Sequence, residues 1–120
     1  MEIATRDSRK IKPMANDAIL VLIALRFSKT EIDSIKCGFI PKQMEQKWFI
    51  FYENDWIYLH RAWTGYCIYK LKIKQVEKNE FSFYQLWIDC DKAISQDPND
   101  EANILFVNSL LNSLSKRELI

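Results

Sequence analysis

Between residues 48 and 88 the chain alternates between short apolar runs and turns. The runs cover residues 48–52, 56–60, 66–74 and 81–88 and are rich in aromatic and β-branched side chains. Residues 53–55, 63–65 and 77–80, which contain asparagine, aspartate or glycine, separate them. Runs of this length and composition are typical of β-strands joined by hairpin turns. We therefore predict a four-stranded antiparallel meander.

The third run indicates a sheet with one face on the core and one face half exposed. Its apolar positions are Cys67, Tyr69, Leu71 and Ile73, and the positions between them are Lys70, Lys72 and Lys74. Alternation with a period of two sends successive side chains to opposite faces. Antiparallel sheets commonly show this pattern.

A C-terminal helix is predicted after Asp97. The segment 97–101 combines a capping side chain, an early proline and acidic residues in the first turn. Apolar residues then recur at helical spacing, at Ile104, Val107, Leu111 and Leu114. We expect this stripe to lie across one face of the sheet.

The N-terminal third contains one clear helix signal and one ambiguous segment. Ser28 and Glu31 fit a capping box for a helix that ends near Lys36, and Gly38 suits the positive φ that follows such a helix. Residues 18–27 are apolar on every side, so a helix that begins at Asn16 or Asp17 and a buried strand remain alternatives. The predicted class is α+β, with the meander packed by the C-terminal helix and an N-terminal helical region.

Length and composition indicate one domain of ordinary globular type. The chain has 120 residues, of which 48% are hydrophobic and 28% charged. We expect residues 1–14, which are polar and basic, to form a flexible arm, and residues 15–120 to form the α+β domain. The longest apolar run, residues 18–25, is far shorter than the ~20 residues that span a bilayer.

Charge and cysteine usage narrow the expected partners and compartment. The formal net charge of +1 gives no reason to expect nucleic acid or a membrane as a partner. There are three cysteines, an odd number, and they form no C-x-x-C pair. This argues against a disulfide framework and favours a reducing, cytoplasmic compartment. Their spacing with His60 does not fit a structural metal site, and no cofactor motif is present, so we expect neither metal nor cofactor.

The segment from Trp48 to Tyr69 carries the candidate chemistry. It contains three of the four tryptophans, four of the five tyrosines and the single histidine. The candidate ligand-binding residues are His60, Arg61, Trp63, Thr64, Tyr66, Glu45 and Trp48. Aromatic rings can stack on a flat ligand, and a guanidinium can hold an anionic group. Gly65 would free the backbone to approach such a ligand.

Each of these residues also has a structural interpretation. His60 could be satisfied by a backbone partner, and Arg61 could pair with Glu53 or Glu45. Residues 63–66 could be a tight turn that seals the core. A Cys67–His60 nucleophile does not fit the alternation, which places Cys67 in the core with Tyr69. No catalytic residue is predicted.

The chain resembles a family of small uncharacterised bacterial domains that occur alone or beside ADP-ribosylglycohydrolase-like enzymes. The residues that carry the resemblance are the run His60-Arg61-Ala62-Trp63-Thr64-Gly65-Tyr66 and residues 39–50 before it. The resemblance covers residues 39–115. The family usually has serine where this chain has Ala62, which argues against a role for a hydroxyl there. The resemblance implies a link to NAD or ADP-ribose chemistry.

From these observations we expect a non-catalytic binding or accessory module that recognises a nucleotide-like ligand or a partner protein. A small hydrolase that uses His60, Glu45 and Arg61 is one alternative, and a stand-alone inhibitor or immunity protein is another. The hydrolase requires Glu45 within hydrogen-bond reach of His60. A ligand-binding module requires an aromatic-lined cavity near the Trp63 turn.

Overall fold

The computed structural model describes residues 2–118, which form one five-stranded antiparallel sheet and two helices. The strands are β1 (Ile19–Ser28), β2 (Trp48–Glu53), β3 (Trp56–Arg61), β4 (Cys67–Glu77) and β5 (Glu80–Ile88). The helices are α1 (Lys29–Lys36) and α2 (Glu101–Ser115), and a short 3-10 turn covers Arg6–Ser8. The strand order across the sheet is β1-β5-β4-β3-β2.

The predicted antiparallel meander is confirmed for β2 to β5, but the count of four strands was wrong. Residues 19–28 form a fifth strand, β1, which pairs with β5 at the edge of the sheet. Val21 and Ile23 pack against the core, whereas Leu20 and Leu22 face outward. Because both faces of β1 are apolar, the period of two that identifies a strand is invisible in its hydrophobic pattern.

Local capping signals predicted both helices, placing α1 correctly and starting α2 three residues too early. The side chain of Ser28 accepts a hydrogen bond from the backbone of Glu31, and Glu31 accepts one from the backbone of Ser28, which is the predicted capping box. Gly38 has a φ of 68° just beyond α1. The cap of α2 is Asp100 rather than Asp97, and it accepts from the backbone of Ala102. Neither helix is long and apolar enough to cross a membrane, within the residues described.

The two faces of the sheet have different environments. Both helices lie on one side, which we call the helix face. Its buried residues include Ile50, Leu59, Leu71 and Leu86, together with Leu111 of α2. The opposite side, the outer face, carries the alternate residues of each strand. The core therefore lies between the sheet and the helices.

The arm, residues 2–14, covers part of the outer face. The amide of Ala4 donates to the carbonyl of Cys37, and the amide of Lys12 donates to the carbonyl of Gly65, both at 2.9 Å. Ala4 is buried in a small second cluster with Ile40, Phe49 and Phe51. The described residues of the arm thus lie against the sheet and build one wall of a cavity.

Candidate functional site

His60 lies at the end of β3, where a β-bulge separates it from the regular pairing of β3 with β4. Its side chain is 2% exposed, and its Nδ1 lies 2.8 Å from the carbonyl oxygen of Gly65. Burial lowers the pKa of His60 below its usual 6.5, against the opposing effect of the Gly65 bond, and the charge of Arg6 lowers it further. The neutral ring must carry its proton on Nδ1, because a carbonyl only accepts. Nε2 is therefore left as an acceptor.

Stacked rings on the outer face form the floor of a cavity at His60. The His60 ring stacks on Phe51 with centroids 5.5 Å apart, and Phe51 stacks on Tyr58 at 4.8 Å. The arm borders these rings, and the half-open cavity between arm and rings has a volume of about 170 Å³. The cavity therefore offers flat apolar surfaces beside one hydrogen-bond acceptor.

Cationic side chains surround the same cavity. Arg6, Lys12 and Lys70 all line it. Arg6 is held by Glu53 at 2.7 Å, an ion pair that raises the pKa of Arg6 and lowers that of Glu53. Lys12 and Lys70 form no ion pair within residues 2–118. Their charges are thus available to an anionic ligand.

The backbone at Gly65 is closely approached, and the segment that approaches it is the arm. Gly65 has a φ of 80°, and a Cβ added there would lie 2.8 Å from the carbonyl oxygen of Lys10. The missing side chain allows the arm to pass and the Lys12 amide to bond to Gly65. The close backbone contact predicted at Gly65 is therefore present, and in this structure the arm makes it.

Cys67 lies on the outer face beside His60, which corrects the predicted alternation. The bulge pairs His60 with Cys67 and Leu59 with Tyr69, so Cys67 and Tyr69 point to opposite faces. The Cys67 thiol donates to the carbonyl of Tyr69 at 3.6 Å, and burial raises its pKa to about 12. The thiolate needed for nucleophilic attack is therefore not formed near neutral pH.

Arg61, Trp48 and Glu45 form a separate group on the helix side of the sheet. The Arg61 guanidinium lies over the indole of Trp48, 5.4 Å from its centroid. Glu45 and Trp48 line a groove of about 260 Å³ against Phe106 and Leu110 of α2. Arg61 makes no ion pair with Glu53 or Glu45; Glu53 is paired with Arg6 instead.

The turn between β3 and β4 presents the remaining predicted residues to solvent. Trp63 is 46% exposed, and Thr64 is exposed beside it. The Tyr66 ring lies between two ammonium groups, 4.1 Å from that of Lys12 and 4.6 Å from that of Lys92. Of the seven predicted residues, His60 lines the cavity and Tyr66 touches its Lys12, whereas Arg61, Trp48 and Glu45 lie on the other side.

The geometry required for the hydrolase alternative is absent from the described part of the chain. His60 and Arg61 occupy opposite faces of β3, and His60 has Gly65 as its hydrogen-bond partner rather than Glu45. No group of three histidine, cysteine, aspartate or glutamate side chains within residues 2–118 could hold a metal ion. All three cysteines are free.

Sequence reasoning missed Tyr58, Arg6, Lys12 and Lys70 as members of the site. Tyr58 and Lys70 are directly opposite in β3 and β4, so correct strand register would have identified both. Arg6 and Lys12 come from the arm, and no local signal indicates where an arm lies. Their contribution follows from tertiary packing alone.

We expect the ring of His60 to titrate below pH 6.5, because its charged form is buried. The His60 ring is then harder to protonate in the folded state than in the unfolded state. The free energy of unfolding should therefore fall as the pH drops from 6.5 towards the pKa of His60 in the folded protein. NMR titration of this single histidine and urea unfolding at about pH 7.5 and about pH 5.5 measure both effects. His60→Gln should lose most of the pH dependence. A ring pKa at or above 6.5 would contradict the burial argument.

We compared this chain with protein-family models, curated proteins and solved structures, and found no match in any of the three.

Proposed function

We propose that this protein is a non-catalytic binding module whose ligand is nucleotide-like and enters the cavity between the arm and the sheet. The observation that carries this proposal is the combination of stacked rings and lysines without an ion-pair partner in one half-open cavity. A flat ring would stack against Tyr58 or His60, and an anionic group would approach Lys12 and Lys70. The proposal agrees with the NAD or ADP-ribose link that the sequence resemblance implies.

The cavity size limits what part of the ligand it holds. Drug-sized sites occupy about 300–1,000 Å³, whereas this cavity measures about 170 Å³. One ring or one anionic group fits inside, and the rest of a dinucleotide would extend along the sheet. His60 Nε2 would accept a hydrogen bond from the buried part.

The chemistry of the lining residues favours binding over catalysis. Burial raises the Cys67 pKa to about 12, which removes the nucleophile from neutral solution. No hydrogen bond joins Cys67 to His60, so the activation of a nucleophile by an adjacent base has no counterpart here. A cavity with rings and cations but no activated group binds without transforming its ligand.

Binding of ADP-ribose, NAD and common nucleotides can be tested by thermal shift and calorimetric titration. A ligand at 100 times its Kd should stabilise the protein by about 2.7 kcal/mol. We expect Lys12→Ala to weaken the binding of the responding ligand about tenfold, because a desolvated charge contact is removed. The matched control is Lys29→Ala, since Lys29 lies on α1 and pairs with Asp33, away from the cavity.

The result also distinguishes the two groups of candidate residues. If no nucleotide shifts the melting temperature, or if Lys12→Ala binds as tightly as wild type, the cavity is not the site. Loss of binding in Arg61→Ala with Lys12→Ala unaffected would move the site to the Trp48 groove. That groove, with its apolar lining from Phe106 and Leu110, is the surface that favours the partner-protein alternative.

A further inference from the structure

Beside the arm, the outer face continues as a platform of aromatic and basic side chains, with the cavity residues Tyr58 and Lys70 at its border. Strand register places Tyr58, Lys70, Trp87 and Leu20 side by side across four strands. The next row contains Trp56, Lys72, Gln85 and Leu22. Both helices lie on the opposite face, and Leu22 is 75% exposed. The platform is therefore accessible to a macromolecule.

The lysines of this platform hold their charges over aromatic rings. The ammonium of Lys70 lies 4.8 Å from the Trp56 centroid and 5.6 Å from that of Trp87. Lys72 lies 5.3 Å from Trp56, and Lys74 lies 4.7 Å from Tyr84. Such cation–π contacts keep each charge beside a stacking surface.

Acidic side chains do not neutralise these lysines. Lys70, Lys72 and Lys74 take part in none of the ion pairs within residues 2–118. Arg26, on the same face, is paired with Glu80. Three positive charges without an ion-pair partner in the described residues thus follow one strand, although the net charge of the whole chain is +1. The net charge alone gave no reason to expect nucleic acid as a partner, whereas the clustering of positive charge on this face favours an anionic polymer.

We propose that the outer face of β3, β4 and β5 binds single-stranded nucleic acid. Bases would stack on Trp56 and Trp87 in place of the lysine ammonium groups that lie over these rings. Lys70, Lys72 and Lys74 would then contact backbone phosphates. Proteins that bind single strands combine a positive track with aromatic rings, and a stacked base contributes about 1–3 kcal/mol. An open sheet that carries stacking aromatics is a recognised geometry for this purpose. Lys70 also lines the cavity, but Trp56, Trp87, Lys72 and Lys74 do not, so the proposal does not depend on a ligand there.

The bases of a duplex are already stacked on one another, so the platform should prefer single strands. Both sugars present the same phosphates and ring faces, so RNA and DNA strands should bind alike. Contact with three phosphates predicts that the logarithm of affinity falls with the logarithm of salt with a slope of about −2. These expectations separate the proposal from general attraction to a polyanion.

Fluorescence anisotropy with a labelled oligothymidylate of about ten nucleotides tests the proposal. Trp56→Ala should weaken binding roughly five- to 150-fold, which is the loss of one stacked base. The double variant Lys72→Ala with Lys74→Ala should weaken binding and make the salt slope shallower by about 1.4. Because Trp56→Ala removes a large ring, its fold is checked by circular dichroism, and the lysine double variant gives an independent reading.

The matched control is Lys29→Ala with Lys47→Ala, which changes the net charge equally. Lys29 lies on α1, and Lys47 lines the Trp48 groove on the helix side of the sheet. The control pair should bind the oligonucleotide nearly as wild type does. The proposal would be overturned if the oligonucleotide did not bind detectably at low salt. It would also be overturned if the control pair weakened binding as much as the platform lysine pair, or if a duplex of the same length competed as well as a single strand. Binding that persists in both platform variants would do so as well.

Discussion

Leu111→Ala should lower the free energy of unfolding by roughly 2–5 kcal/mol, the range measured when a buried leucine is truncated. Leu111 is fully buried in α2, on the same stripe as Val107 and Leu114. The truncation loses the transfer free energy of the removed carbons and leaves a cavity between helix and sheet. Urea unfolding of wild type and variant measures the difference.

Leu105→Ala is the matched control for this prediction. Leu105 belongs to the same helix but is 64% exposed, so its truncation should change stability by less than about 0.5 kcal/mol. A loss below about 1 kcal/mol for Leu111→Ala would mean that α2 does not pack on the sheet in solution.

Gly38→Ala should be comparably damaging, by about 2–5 kcal/mol, because strain and overlap act together. Gly38 has a φ of 68°, which an alanine adopts at a cost. A Cβ at this position would overlap the carbonyl oxygen of Ile50 and lie 2.8 Å from the Cβ of Ala4. The backbone of β2 cannot yield easily, since Phe39 and Ile50 exchange hydrogen bonds there.

Asn54→Ala separates the two contributions. Asn54 has a φ of 52° in the exposed hairpin turn between β2 and β3, so alanine there meets the conformational cost without the overlap. We expect a loss of about 1 kcal/mol for Asn54→Ala. Denaturant unfolding that gave equal losses for both variants would refute the argument from overlap.

Local signals were sufficient for the elements whose partners are adjacent in sequence. The capping box at Ser28 and the hairpin turn at 53–55 depend on a few neighbouring residues, and both are confirmed. Strand β1 depends on distant β5, and its uniformly apolar sequence conceals which face is inside. The fold class was therefore predictable, while the number of strands was not.

The cavity was less predictable because it assembles residues from distant segments. Pattern alone identified His60, but the bulge that places Cys67 beside it interrupts the alternation on which the prediction rested. The arm contributes Arg6 and Lys12 through contacts formed in the folded chain alone. Two of the predicted residues, His60 and Arg61, are neighbours in sequence and yet face opposite sides, as a regular strand requires.

The position of β1 in the sheet has a consequence for how the chain folds during synthesis. Strands β2, β3 and β4 each pair with the next strand in sequence, whereas β1 must wait for β5, which begins roughly fifty residues after β1 ends. At about 5–20 residues per second, the ribosome leaves an unpaired apolar strand for several seconds. Closing so long a loop is also slow compared with forming a hairpin. The first strand to be made is thus the last to find its partner, and in that interval it is the segment most exposed to chaperones and to misassociation.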